Sequence, residues 1–146
     1  MSRGFSSTHQ GIDIPLPMST PLHAPLGGVI TEAGPAAPFV CPLDGRLTED
    51  QLVVRWRASH PGGRQVEVAL AHLDRVDVAV GQRVAPGEVV GQSGRSGCAR
   101  GPHVHMAMWV ADTPHDRLEA VDVLSDDRFE QIPETQWTAP DVGYRP

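Results

Sequence analysis

Apolar and polar positions alternate along several stretches of the chain, and a period of two is typical of β-strands with one buried face. Residues 51–57 and 64–72 are the clearest examples, and the Gly- and Pro-containing residues 59–63 between them predict a hairpin turn. In the second stretch the alternation assigns to one face Val66, Val68, Leu70 and His72. Residues 27–33 are a third predicted strand.

Glycines interrupt this pattern in the second half of the chain. Residues 80–84 and 86–91 predict short strands separated by turns, whereas residues 94–102 contain too many glycines for a strand and predict a loop. Alternation returns at residues 103–110, which place His103 and His105 on the face opposite an apolar row. Helical periodicity is weak, with its best candidate at residues 116–124. The pattern therefore predicts a mostly-β single domain with little helix.

Composition and charge exclude several classes of function. The chain has 146 residues, enough for one domain, and its 15 Gly and 14 Pro favour short strands over a helical bundle. Twelve basic against eighteen acidic residues give a net charge of −6, which argues against a nucleic-acid partner. No apolar run is long enough for membrane insertion. All twelve basic residues are Arg, so attachment of biotin or lipoate to a lysine is excluded.

The end of the chain differs from the rest in composition. Residues 125–146 are acidic, contain prolines and show no period. We expect a domain over residues 1–124, followed by an acidic tail over residues 125–146 that either docks on a partner or packs back on the domain.

Two short patterns bring metal-binding residue types together. His103 and His105 are two residues apart on a predicted strand, so their imidazoles face the same side. His9 and Asp13 flank a glycine, which allows a bend that turns both side chains toward one point. Two imidazoles and one carboxylate form a common catalytic zinc shell. The alternatives are a solvated histidine pair on a polar strand face and an aspartate that caps a turn.

Taken in order, these patterns resemble the lysostaphin-type (LytM-type) zinc endopeptidases, which cut the peptides of peptidoglycan. The resemblance covers about residues 5–124. It rests on residues 19–29, 80–91 and 94–97 and on three histidine motifs, which are His9-Gln-Gly-Ile-Asp13, Leu70-Ala-His-Leu73 and Gly101-Pro-His-Val-His105. The resemblance implies a single-domain antiparallel β-sandwich with a substrate groove.

The resemblance also implies a zinc-dependent endopeptidase with peptidoglycan peptides as its substrate. One zinc ion would be held by His9, Asp13 and His105. His72 and His103 would be catalytic, one as the base that accepts a proton from water and the other as a hydrogen-bond donor to the tetrahedral oxyanion. Which histidine has which role stays open.

Three departures from the family concern the substrate groove. Ala69-Leu70 stands where the family often has an aromatic residue, and Cys98-Ala99-Arg100 stands where small hydroxyl residues are common. Residues 35–50 are longer than the usual connection and predict an insertion beside the groove. We expect these positions to affect peptide specificity and not metal binding. Cys41 and Cys98 leave open whether the two thiols pair or stay free.

Two other functions stay open. A phosphocarrier of the sugar phosphotransferase type shares a His-x-Gly-Ile-Asp element, and a non-catalytic LytM-like regulator would share the fold. The N-terminus shows no apolar secretory signal, whereas peptidoglycan lies outside the cytoplasmic membrane. We therefore expect a phage endolysin, a component of a phage tail or injection particle, or a piece trimmed from a longer secreted protein.

Overall fold

The computed structural model describes residues 11–59, 64–113 and 116–121. These ranges contain eleven β-strands and no helix, so the predicted mostly-β fold is confirmed. The strands are β1 (Ile12–Pro15), β2 (Pro21–His23), β3 (Gly28–Pro35), β4 (Phe39–Val40), β5 (Leu47–Thr48), β6 (Leu52–Ser59), β7 (Gln65–Val76), β8 (Arg83–Val84), β9 (Val89–Ser93), β10 (His103–Ala111) and β11 (Glu119–Val121). Across the same ranges, no helical segment of sufficient length and apolarity to cross a membrane is found.

Nine strands form one antiparallel sheet with the order β1-β10-β7-β6-β3-β8. Strand β9 branches from β7 and pairs with β2, and β11 extends the edge of β10 beyond β1. Strands β4 and β5 form a separate two-stranded sheet within the connection from β3 to β6. The long strands β6, β7 and β10 therefore lie at the centre of this sheet.

The predicted strands agree with the structure where alternation is longest. Strands β3, β6, β7 and β10 correspond to the four predicted stretches. Strands β3, β6 and β7 begin one residue later than predicted, and all four extend one to four residues further at the C-terminal end. Residues 94–102 are the predicted loop, between β9 and β10. Residues 80–91 contain β8, the beginning of β9 and the turns between them, as the glycines indicate. The turn residues 60–63 and the tail residues 125–146 lie outside the described residues.

The predicted helix at residues 116–124 is wrong. Residues 119–121 instead form β11, which pairs with β10, and Val121 is buried there. The free edge of β10 beyond β1 supplies backbone partners and an apolar contact, and these outweigh a weak helical period. Residues 122–124 lie outside the described residues.

The core lies against one face of the central strands. Trp56 on β6 is fully buried, and its Nε1–H donates to the Leu26 carbonyl at 3.0 Å, so the indole has both an apolar environment and a polar partner. Val66, Val68, Leu70, Met106 and Met108 join it on β7 and β10. Because this face is filled with apolar side chains, the polar residues of β10 are left for the opposite face.

Candidate active site

Strand β10 presents two imidazoles on the face opposite the core. Val104 and Met106 are buried in the core, whereas His103 and His105 alternate with them and are half-buried. Strand β1 pairs with β10 so that Asp13 is directly opposite His105. Side chains opposite each other on paired strands share a face, so the register alone brings the carboxylate to the imidazoles.

Asp13 makes short contacts with both histidines of β10. Its Oδ1 is 2.8 Å from Nδ1 of His105 and 3.6 Å from Nε2 of His103. Gly11 packs against the other nitrogen of His105, because a Cβ at this position would lie 2.7 Å from Nε2. Gly11 also has φ +145°, a conformation that favours glycine. The ring of His105 is thus held with Nδ1 toward Asp13.

His72 reaches the same site through a break in the alternation of β7. Strict alternation places it on the core face with Leu70, and this part of the sequence-based prediction is wrong. The pairing of β7 with β6 shifts register between Ala71 and Leu73, and His72 has φ +67°. This bulge gives the core position to Leu73, which is fully buried, and turns the His72 ring toward His103 with ring centroids 4.6 Å apart. A left-handed residue costs about 1–2 kcal/mol and is often retained at a functional site.

The loop of residues 94–102, called the histidine loop from here on, orients two of the imidazoles. Nδ1–H of His72 donates to the Ser96 carbonyl at 2.8 Å, and Nδ1–H of His103 donates to the Gly101 carbonyl at 2.8 Å. A carbonyl oxygen can only accept, so Nδ1 of each ring carries a proton. In the neutral rings Nε2 is then the nitrogen with a free lone pair.

His72 is buried, and its position affects its protonation. Burial is the main reason that the pKa of His72 is lowered, because a charged imidazole loses hydration there, and the neighbouring His103 and His105 lower it further. The hydrogen bond with Ser96 and the charge of Asp13 act in the opposite direction but do not outweigh burial. His72 is therefore held as a neutral base.

A groove runs over these residues and has a separate wall. Its floor includes Asp13, Ala71, His72, His103 and His105. One side is formed by Phe39, Pro42 and Leu43, which belong to residues 36–50, called the wall hairpin from here on. The predicted position of this segment beside the groove is confirmed. The histidine loop also lines the groove, through Cys98, Ala99, Arg100, Gly101 and Pro102.

The two cysteines form a disulfide between two segments that line the groove. Cys41 of the wall hairpin and Cys98 of the histidine loop have Cα atoms 5.5 Å apart. The question that the sequence left open is therefore answered in favour of a paired state. The bond ties the wall hairpin to the loop that orients His72 and His103.

The atoms around Asp13 are suitable for a metal ion. Zinc binds carboxylate oxygen and imidazole nitrogen at about 2.0–2.2 Å, so two atoms that share one ion lie no more than about 4 Å apart. The 2.8 Å between Oδ1 of Asp13 and Nδ1 of His105 satisfies this condition. The third predicted ligand, His9, lies outside the described residues. Within residues 11–59, 64–113 and 116–121 alone, no complete group of three such ligands is found.

A groove over an antiparallel sheet, with three imidazoles beside a carboxylate, is an arrangement suited to hydrolysis. The chain belongs to peptidase family M23, whose family model matches residues 7–117. Both the predicted family and the predicted fold class are thereby confirmed.

Two curated relatives in this family each align with this chain over 97 residues. The DD-carboxypeptidase/endopeptidase Mpg of Neisseria meningitidis serogroup B is 35% identical over 97 residues, which cover 66% of this chain and 19% of that protein. The glycyl-glycine endopeptidase ALE-1 of Staphylococcus capitis is 30% identical over 97 residues, covering 66% of this chain and 23% of that protein. The chain spans about a quarter or less of the curated relatives that it matches, for example 24% and 23% of two of them.

A solved structure of a catalytic domain is similar to this chain in fold. The catalytic domain of lysostaphin from Staphylococcus simulans is 25% identical, with a TM-score of 0.57 over 80% of this chain and 76% of that domain. The fold described here is therefore that of a catalytic domain in this family.

Several residues that shape the site were not identified from the sequence. Ser96 and Gly101 act through backbone carbonyls, which no side-chain pattern reveals. Gln51 accepts a hydrogen bond from the Cys98 N–H at 3.2 Å and lines the groove. A glycine-rich loop before a His-x-His motif is the signal that could have suggested such a supporting loop.

Proposed function

We propose that this chain is the catalytic domain of a zinc-dependent endopeptidase that hydrolyses peptide bonds of bacterial peptidoglycan. The observation that carries the proposal is the convergence of Asp13, His72, His103 and His105 on one groove floor. Family membership supports it, as do relatives named peptidoglycan DD-endopeptidase and glycyl-glycine endopeptidase. A peptidase family also favours hydrolysis over the phosphocarrier.

One zinc ion would be held by His9, Asp13 and His105. The donor set of two imidazoles and a carboxylate is typical of catalytic zinc, and the two described donors have a compatible separation. Zinc bound there would polarise the scissile carbonyl and acidify a coordinated water.

His72 and His103 would move the protons of the reaction. His72 suits the role of base, because burial keeps it neutral and Nδ1–H is already used by Ser96, so Nε2 accepts the proton of the attacking water. The same proton then goes to the leaving amine nitrogen. His103 has Nε2 3.6 Å from Asp13 on the groove floor and would be the hydrogen-bond donor to the oxyanion.

Digestion of defined muropeptides by the purified zinc-loaded protein tests this function. We expect one new amine and one new carboxylate per bond cut, identified by mass spectrometry, and loss of turbidity of purified cell walls. Retained zinc without any cleavage would favour the non-catalytic regulator, and a phosphohistidine would favour the phosphocarrier.

The route to the wall is also a proposal. We propose a phage lysin or a component of a phage tail or injection particle, in which residues 125–146 dock on particle proteins. Detection of this chain by mass spectrometry in purified particles supports this route, and its detection only among secreted host proteins contradicts it.

A further inference from the structure

The Cys41–Cys98 disulfide connects two segments that the main sheet does not join. Within the described ranges, β4 of the wall hairpin pairs only with β5, so the hairpin has no strand partner in the nine-stranded sheet. Cys98 is 57 residues further along the chain, in the histidine loop. Cys41 is buried, whereas Cys98 is half-buried and lines the groove.

Cys98 lies between the two carbonyls that orient the catalytic histidines. Ser96, which accepts from His72, precedes it by two residues, and Gly101, which accepts from His103, follows it by three. We therefore expect a displacement of Cys98 to shift the Gly101 carbonyl and, to a lesser extent, that of Ser96. Such a displacement would break the hydrogen bond of Nδ1–H in each ring. The ring could then rotate, and Nε2 would lose its fixed direction.

The first half of the histidine loop has anchors of its own. Ser96 Oγ–H donates to the Leu73 carbonyl at 2.6 Å and accepts from Leu52 N–H at 3.0 Å. Gly97 is packed against Gln51, since a Cβ there would lie 2.3 Å from the Gln51 Cβ. Within the described part of the chain, residues 99–102 form no hydrogen bond to the wall hairpin, and their one hydrogen bond to a strand is that of the Gly101 carbonyl with His103 at the beginning of β10. On the side of Gly101 away from His103, the first attachment along the chain is the disulfide at Cys98.

We propose that Cys41 and Cys98 are positioning residues for catalysis, whose bond fixes the histidine loop so that His103, and to a lesser extent His72, keep Nε2 directed at the substrate. This inference rests on the proposed function. Reduction by a phosphine breaks the S–S bond and forms two thiols, while water supplies the two hydrogens and the oxygen of the phosphine oxide. The loop then keeps the Ser96 and Gln51 contacts and its junction with β10 at His103, but it has lost its covalent bond to the wall hairpin.

Reduction of the folded, zinc-loaded protein with a water-soluble phosphine tests this inference. We expect a count of two free thiols, unchanged zinc content and a fall in kcat of about tenfold to a hundredfold with a smaller change in KM, because small misplacement of a catalytic group costs this much. Long-range nitrogen–proton NMR of the histidine rings should show loss of the fixed Nδ1–H form, first at His103. Reoxidation should restore both.

The double variant Cys41→Ser/Cys98→Ser is the matched control. Without phosphine, its kcat should equal that of the reduced wild type, and phosphine should not change it. This result separates the loss of the disulfide from any effect of the reagent on zinc. Full kcat with unchanged ring signals in a protein with two free thiols would overturn the inference. Loss of the far-UV sheet signal at 25 °C would also overturn it, because the bond would then hold the whole fold.

The NMR measurement separates this inference from the proposed function. If the oxidised wild type cuts no muropeptide, the proposed function fails. The ring signals need no substrate and still decide whether the disulfide orients the histidines.

Discussion

Asp13 is the only carboxylate among the described residues that line the groove, and three imidazoles surround it. Its negative charge attracts a cation, and it also supplies the oxygen donor that a two-histidine site lacks. The electrostatic character of the groove floor therefore depends on one residue. His72, 8% exposed, is the most buried of the neighbouring rings.

Asp13→Ala should abolish zinc binding and most peptidase activity, because the remaining ligands lose both a donor and its charge. Elemental analysis after dialysis gives the zinc content per chain. Asp50→Ala, which alters an exposed carboxylate before β6, is the matched control and should retain zinc. Stoichiometric zinc in Asp13→Ala would contradict its assignment as a ligand.

His72→Ala and His103→Ala should each keep zinc but lose about a hundredfold or more in kcat, which is the usual range for removing an acid–base group. His23→Ala provides the comparison, because His23 also has Nδ1 2.9 Å from a backbone carbonyl, that of Gly87, but lies outside the groove lining. Steady-state kinetics on a muropeptide measures the effect. Loss of zinc from either variant would mean that a ligand has been taken for a catalytic residue.

The lowered pKa of His72 predicts a contribution to acid sensitivity. The unfolded chain binds a proton at this histidine near its ordinary pKa of about 6.5, whereas the folded protein binds it only at lower pH. As pH falls below that value the unfolded state takes up more protons, so the free energy of unfolding decreases.

Urea unfolding at about pH 7.5 and about pH 5.5 measures this contribution. Between these two pH values, the free energy of unfolding should fall more for the wild type than for His72→Gln, with both proteins in the same zinc buffer. An equal loss would show that the ring of His72 is as readily protonated in the folded protein as in the unfolded chain.

At the scale of elements, alternation predicted the strands because each has one face in the core. Val66, Val68 and Leu70 on β7 are all buried as the pattern requires. His72 was assigned to the wrong face because the register shift depends on pairing with β6, which is a long-range property. Strand β11 was missed for the same reason, since its partner β10 and not its own sequence decides its structure.

The site residues were easier to predict than their support. The alternation of residues 103–110 predicted that His103 and His105 share a face, the family resemblance added Asp13, and the structure brings the three residues together. Every residue has a backbone carbonyl, so the residue types at positions 96 and 101 do not reveal that Ser96 and Gly101 accept hydrogen bonds from the rings. Only the structure shows how the rings are held.

The disulfide should also stabilise the fold, because it closes a loop of 57 residues in the unfolded chain. The chain-entropy model gives about 4 kcal/mol for a loop of this length. Urea unfolding of Cys41→Ser/Cys98→Ser should therefore show a clearly lower midpoint than that of the oxidised wild type. An unchanged midpoint would mean that the bond adds nothing to the free energy of unfolding.

At the scale of the whole molecule, the family match ends at residue 117 and the described core extends to Val121. We expect a chain shortened to residues 1–124 to fold, with a melting temperature within about 3 °C of the full chain, and to hydrolyse cell walls. Calorimetry and the turbidity assay measure these two properties. An unfolded truncation would show that residues 125–146 belong to the core and are not a docking segment.

The wall hairpin leaves and re-enters the main sheet at a single point. Pro35 at the end of β3 is paired with Leu52 at the beginning of β6, and Ala36 N–H donates to the Gln51 carbonyl at 2.8 Å. An insertion whose two ends are adjacent can change in length or sequence without altering the register of the strands beside it. The hairpin can therefore be replaced by one of another length or sequence, which would change the shape of the groove while the residues of its floor keep their positions.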